Sequence, residues 1–398
     1  MRKQVRQNAN LAALLAPSGI SPVSAARVRW LLLILLAAAF AALAQRPPLL
    51  VPSDPQTVIE KLPRGYAALT PSAKPSAPAA PISRIQQLLS AAARTGDSRL
   101  AARAEALLAK FPAEERSASV LAARAFSAQH RHDFADAVGL LDALIQQRPR
   151  DGAARFARAQ VNLVRGRLDS ARADCVALSL GVDAGRGLLC AAALSLRTGR
   201  YPAAADLAER WLAQAGAGEE QRYALTMRGE IAARAGDGGA QQWFRRALAL
   251  DADDVRTLAA YARYLRGAGR DGEVEALLAG KPDSDALHLQ RTLAAHQTDP
   301  SSARALADAQ AQRYGLAHKL GSQPELRDEA EFLLIVRAQP EAALALAQRN
   351  FQEQRDFEDV DLLIRAATAA GRPQALQPLR EWAAAQKLSL PPIAGEAK

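Results

Sequence analysis

The stretch from Ala118 to Pro149 constrains this chain more than any other, because it reads as a complete pair of short helices. Apolar residues fall at helical spacing on both sides of a polar turn, His130-Arg131-His132-Asp133, and Pro149 stops the second helix. Related units begin at Ile82, Gly152, Gly185, Gln221 and Val255, so the six starts are 33 to 36 residues apart. A unit of this size cannot bury its apolar face alone, and neighbours must stack to make a continuous core. The expectation is an all-α chain, an α-solenoid of helix pairs.

The residues that recur also fix a register. With Ala118 as position 1, the small residue where paired helices cross (position 8) is Ala125, and Phe134, Ala137, Leu141, Leu144 and Pro149 occupy positions 17, 20, 24, 27 and 32. Later units repeat it with Ala159, Gly166 and Ala171, then Ala192, Gly199, Tyr201, Ala204 and Trp211, then Ala262 and Gly269. The fifth unit has a clear second helix, Trp243 to Asp251, but its turn is displaced by one residue. This register resembles the tetratricopeptide repeat (TPR), departing from it at Arg124, Ala128 and Leu144. The resemblance is close from Ile82 to Leu278 and loose from Asp285 to Lys387. As a whole the layout resembles a group of bacterial envelope-directed TPR proteins without an assigned activity.

What the TPR resemblance implies is a concave groove lined by the first helices, with ligand contacts from positions 2, 5, 9, 12 and 13. In this register those positions include Phe126, Gln129 and His130, then Phe156, Gln160 and Leu163, then Arg186, Leu189 and Arg197, and finally Arg256, Arg263 and Arg266. The groove would be apolar and aromatic near its start and rich in guanidinium later, which suits bidentate capture of carboxylates. It does not match the Lys–Asn set with which some chaperone-binding TPR domains hold a terminal carboxylate. The implied partner is a protein or peptide, with an acidic segment if these arginines are ligand contacts and not surface charges of a solvated face.

The N-terminus points to the envelope. Residues 1–44 carry five basic residues and no acid, and Trp30 to Ala44 is an unbroken apolar run of 15 residues ending in Ala42-Leu43-Ala44. As a helix that run reaches about 22 Å, short of a bilayer core of about 30 Å. It is a cleaved signal peptide or a retained signal anchor, and either one puts the repeats across the membrane. Residues 45–81 hold nine of the 22 prolines and form an extended spacer. The repeat array of about six units occupies 82–284, irregular TPR-like pairs and a cap occupy 285–390, and 391–398 is a flexible tail.

The net charge of +10 divides between this N-terminus and a well-mixed remainder, with no basic stripe interleaved with aromatics, so nucleic acid is not an expected partner. His130 and His132 are two residues apart and lack an implied third ligand; they read as turn residues. His288 and His296 are too far apart for one ion. No phosphate loop, nucleophile elbow or metalloprotease motif is present, so no cofactor and no enzymatic activity are expected. Cys175 (position 24) and Cys190 (position 6 of the next unit) fall on neighbouring antiparallel helices. They form a disulfide in an oxidising compartment or remain two buried thiols. The expected function is a non-enzymatic protein-interaction scaffold of the bacterial envelope, periplasmic or anchored to the inner membrane. The alternative is an assembly component of a membrane-associated complex, with contacts through the repeat ends or convex face.

Overall fold

Acidic caps and small crossing residues set the helices of this chain. A computed structural model describes residues 81–214, 218–319 and 324–390, and Lys319 apart these belong to one compact unit. The signal or anchor run, the spacer up to Ala80 and the tail from 391 lie outside the described residues. Asp97, Asp133, Asp151, Asp183 and Asp254 each precede a helix and accept a backbone N–H of its first turn. Such caps satisfy donors that the helix itself cannot.

Eighteen α-helices are present among the described residues, and no strand. The first five pairs are α1 (Pro81–Thr95) with α2 (Ser98–Leu108), α3 (Ala118–His130) with α4 (Phe134–Gln147), α5 (Gly152–Val164) with α6 (Leu168–Ala177), α7 (Ala184–Arg197) with α8 (Tyr201–Leu212), and α9 (Glu219–Ala235) with α10 (Ala240–Leu250). The sixth is shorter: α11 (Val255–Gly267) meets a 3₁₀ turn (Asp271–Glu273) and α12 (Val274–Leu278). Then come α13 (Asp285–Thr298), α14 (Pro300–Lys319), α15 (Leu326–Ile335), α16 (Pro340–Glu353), α17 (Phe357–Ala369) and α18 (Gln377–Ala385). The pairing is TPR-like. Ala125, Ala159, Ala192 and Ala262 are buried in the first helices of their pairs, and Ala137, Ala171 and Ala204 in the second. A methyl group at these places lets backbones approach to the 8–10 Å or so of close helix packing.

The fifth pair departs from the expected register. Numbering from Gln221 puts Arg228 at the crossing, whereas in the structure Gly229 lies there, and a Cβ on it would come within 2.7 Å of the Phe244 ring. Shifting by one residue turns Tyr223, Glu230 and Arg234 onto the face where the groove positions lie. Arg228 instead lies against the Trp243 ring and pairs with Glu209 at 2.7 Å. The departure at Arg124 also has a cause. Its guanidinium donates to the carbonyls of Phe111, Pro112, Ala113 and Glu115 at 2.8–3.3 Å, closing the loop between the first two pairs.

First helices of successive pairs touch one another (α1 with α3, α5 with α7, α7 with α9, α9 with α11) and so make the inner layer. The winding brings the first pair back to the sixth. Helix α1 contacts α11, Gly96 abuts Ser284 and Val255, and Arg94 approaches Asp251 at 4.0 Å. Helices α15 to α18 have a core of their own, built from Ala330, Leu344, Phe351, Leu362, Leu363 and Leu379. That block folds back over the array. The Trp382 indole donates to the Gly166 carbonyl at 3.0 Å, and the Arg355 N–H donates to the Val164 carbonyl at 2.7 Å. Gly166 has φ +67°, and a Cβ there would lie 2.8 Å from the Trp382 ring, so glycine meets two demands at once.

Cys175 on α6 and Cys190 on α7 are joined by a disulfide, with Cα atoms 5.2 Å apart and both residues buried. It ties the third pair to the fourth beside a π-type turn, Leu178–Val182.

Candidate functional site

The inner layer gathers residues from four consecutive pairs around one side chain, Tyr223 of α9. Its hydroxyl donates to Gln160 Oε1 of α5 at 3.1 Å. Phe156, one turn earlier on α5, meets the ring edge-on with centroids 6.1 Å apart. The Arg256 guanidinium of α11 lies 4.8 Å over the ring, an arrangement in which the ring quadrupole attracts the cation. Burial raises the Tyr223 pKa, while Arg256 and Arg197 pull it the other way. Phe156, Gln160, Arg197 and Arg256 are thus brought together; Tyr223 and Glu230 complete the cluster. Sequence reasoning missed those two because the turn of the fifth pair stands one residue off the register and no groove positions follow from its first helix.

The cluster has uncommitted donors. Gln160 Nε2 and Arg197 Nε are buried with no hydrogen-bond partner among the described residues. Among the described residues, Arg256 and Arg263 make neither a hydrogen bond nor an ion pair, yet solvent reaches both. They are two helical turns apart on α11, and so share a face. Arg263 borders two adjoining cavities, of about 490 and 320 Å³, which also share Gly267 and Glu358. The larger is lined by both signs of charge, including Arg266, Arg327, Arg365, Asp271, Asp328 and Glu331.

Other expected groove residues stand elsewhere. Arg266 is engaged, donating to Gln290 at 2.9 Å and lying 3.4 Å from Glu331. Arg186 pairs with Asp183 and Glu220, each at 2.7 Å, at the junction of the fourth and fifth pairs. Leu163 and Leu189 are buried in the core rather than facing a groove. Phe126 is 39% exposed and Gln129 half-buried, on α3 and not on the helices that supply the Tyr223 cluster. His132 stacks on Phe134 and pairs with Glu325 at 3.1 Å, and burial lowers the His130 pKa. Among the described residues no group of three His, Cys, Asp or Glu side chains is placed to hold a metal ion, and no helix is long and apolar enough to cross a membrane.

On one side of the cluster, guanidinium groups already hold carboxylates, and these belong to the chain itself. Arg197 Nη2 lies 2.7 Å from Asp356 Oδ2, and Arg234 Nη2 lies 2.6 Å from Glu358 Oε1. Between them the Phe357 ring has the Arg234 guanidinium 4.0 Å and the Arg197 guanidinium 5.9 Å from its centroid. Burial alone would raise the pKa of Glu358, but Arg234, Arg263, Arg327 and Arg197 hold it well below the ordinary carboxylate range. Nothing local in the sequence signals these contacts, which join residues 159 and 124 positions apart.

No family model and no curated protein matches the chain. Solved structures overlap it at low identity. A tetratricopeptide repeat protein from Parabacteroides merdae is 19% identical over 63% of this chain and 99% of its own, with a TM-score of 0.39. The human IFIT1 dimer with PPP-AAAA is 16% identical over 78% of this chain and 72% of its own, with a TM-score of 0.47. The Cut9–Hcn1 hetero-tetramer of the APC/C is 13% identical over 78% of this chain and 61% of its own, at 0.48. Likeness at this level carries no argument about function. The all-α, TPR-like architecture stands on the pairing and crossing contacts of the helices themselves.

Proposed function

We propose that this chain is a non-enzymatic protein-interaction scaffold of the bacterial cell envelope that takes an acidic segment of a partner on its inner face. One observation carries the reading: Arg256 and Arg263 share a face of α11, are reached by solvent and have no hydrogen bond or ion pair among the described residues. A guanidinium has five donors in a fixed fork, and carboxylates match that geometry. The adjacent buried donors Gln160 Nε2 and Arg197 Nε extend the same demand for an acceptor. Support for the envelope comes from the basic N-terminus with its apolar run, the proline-rich spacer and the disulfide, since disulfides persist in oxidising compartments.

The second reading is an assembly component that makes contact through its outer layer or its ends. Val176 and Leu180, 49% and 83% exposed beside the disulfide, favour it. Crosslinked capture from native envelope separates the two. A partner held by the wild type and lost from Arg256→Glu/Arg263→Glu, with helicity unchanged, is the expected result. Equal capture by that variant, with loss on Val176→Asp/Leu180→Asp, would replace the first reading with the second.

A further inference from the structure

We propose that helices α15 to α18 carry a built-in ligand, Asp356-Phe357-Glu358, so that the resting chain occupies its own recognition face. A partner then enters by presenting the same acid–aromatic–acid pattern. This rests on the inner face being the binding surface, and it names both what that face recognises and what competes for it.

The tripeptide has the properties of a ligand. It sits at the start of α17, where Asp356 is the N-cap and its backbone N–H donates to Asp359 Oδ2 at 2.7 Å, so its geometry is preset. Asp356 Oδ1 accepts from the Phe357 N–H at 2.7 Å, leaving Oδ2 for Arg197. Phe357 packs against the array's largest apolar cluster, the one that contains Leu189, Met227 and Ile231. Two acids on two guanidinium groups, with a ring between those groups, make a three-point contact that neither a plain acidic run nor a plain apolar segment reproduces.

The face has the properties of a receptor. Arg197 holds Asp356 with a terminal nitrogen while its Nε remains unsatisfied, and Arg263, which borders the same two cavities as Glu358, makes no hydrogen bond or ion pair among the described residues. The contacts at Arg197 and Arg234 are ionic and partly exposed, while the block is also held by Phe332 among Leu289, Leu293 and Tyr314 and by the Trp382 bond to Gly166. The block keeps its own core, and several of its links to the array are ionic: Glu325 to His132, Glu353 to Arg165 at 3.6 Å, and Glu331 to Arg266. Partly exposed ion pairs are individually weak, so the contact at the tripeptide is one that a ligand can shift. Any external ligand pays for the fraction of molecules in which the face is taken.

The test is direct binding of a labelled synthetic peptide, residues Gln354 to Ala366 of this chain, to the full-length protein. Asp356→Asn/Glu358→Gln removes both charges while keeping a capping side chain. It should bind the peptide about ten-fold more tightly than the wild type, the ratio reporting the self-occupied fraction. Adding Arg197→Glu/Arg234→Glu to that variant should abolish the gain. Saturating the wild type with peptide should speed hydrogen exchange in the first turns of α17. A second release variant, Phe357→Ala, guards against a fold defect in the first. If both folded release variants bind the peptide no better than the wild type, self-occupancy is overturned. Envelope capture that still depends on Arg256 and Arg263 would then leave the broader reading standing.

Discussion

Asp359 shows how the docked block depends on single residues. It is buried at the third position of α17, accepts from Asn350 Nδ2 at 2.8 Å and from the Asp356 N–H, and lies 3.7 Å from Arg327. Burial pushes its carboxyl up to about 7 from 3.8, with Arg327 opposing and Asp356 adding to the rise. The folded protein therefore holds a proton that the unfolded chain has released. That contribution is complete below pH 3.8 and is lost as pH rises through about 7. Thermal melts should show wild-type stability falling relative to Asp359→Asn across this interval; parallel curves would remove the buried proton. Gly229 makes a second residue-scale test. The Phe244 ring that a new methyl would strike is fully buried and stacked on Tyr261 at 5.4 Å, so it cannot yield. Gly229→Ala should cost about 1–3 kcal/mol in urea unfolding, and a neutral effect would show that the crossing is loose. At this scale the sequence was readable wherever a position demanded a small side chain in a regular pair, as at Ala125 and Ala192. It was not readable in the fifth pair, where the displaced turn moves the crossing from Arg228, too large for it, to Gly229.

Among the elements, α6 and α7 are the pair whose junction is covalently held. The disulfide closes a loop with a sequence separation of 15. Restricting the unfolded chain over such a loop contributes about 3 kcal/mol. Cys175→Ala/Cys190→Ala should lower the unfolding free energy by about that amount, and reductant should do the same to the wild type. No change in either would mean that the pair works as two buried apolar groups. Helix α18 marks the limit of reading elements from sequence. Its existence follows from Pro373 and the apolar spacing after it, but its Trp382 contact to Gly166 links residues 216 positions apart. Repeat periodicity reports on neighbours in the chain, and a helix block that folds back obeys no such period.

The whole described unit is an array of paired helices whose inner face is partly filled by its own C-terminal block. Arg263 and Arg266 were equivalent as sequence positions, both basic on one helix; packing separates them, leaving Arg263 at the cavities and fastening Arg266 to Gln290 and Glu331. The side chains that hold the acids of the tripeptide, Arg197 and Arg234, lie on different pairs, and only the winding brings them together there. The most direct measurement is a charge-reversal cycle across that contact, read by hydrogen exchange in α17. Arg234→Glu alone should speed exchange by placing two acids together at the 2.6 Å contact. Adding Glu358→Arg should restore part of the protection, because the pair is remade with its signs exchanged while Arg263, Arg327 and Arg197 oppose the new cation. Partial restoration is the predicted result. Exchange equally fast in the single and double variants would contradict the claim that guanidinium–carboxylate recognition holds this face.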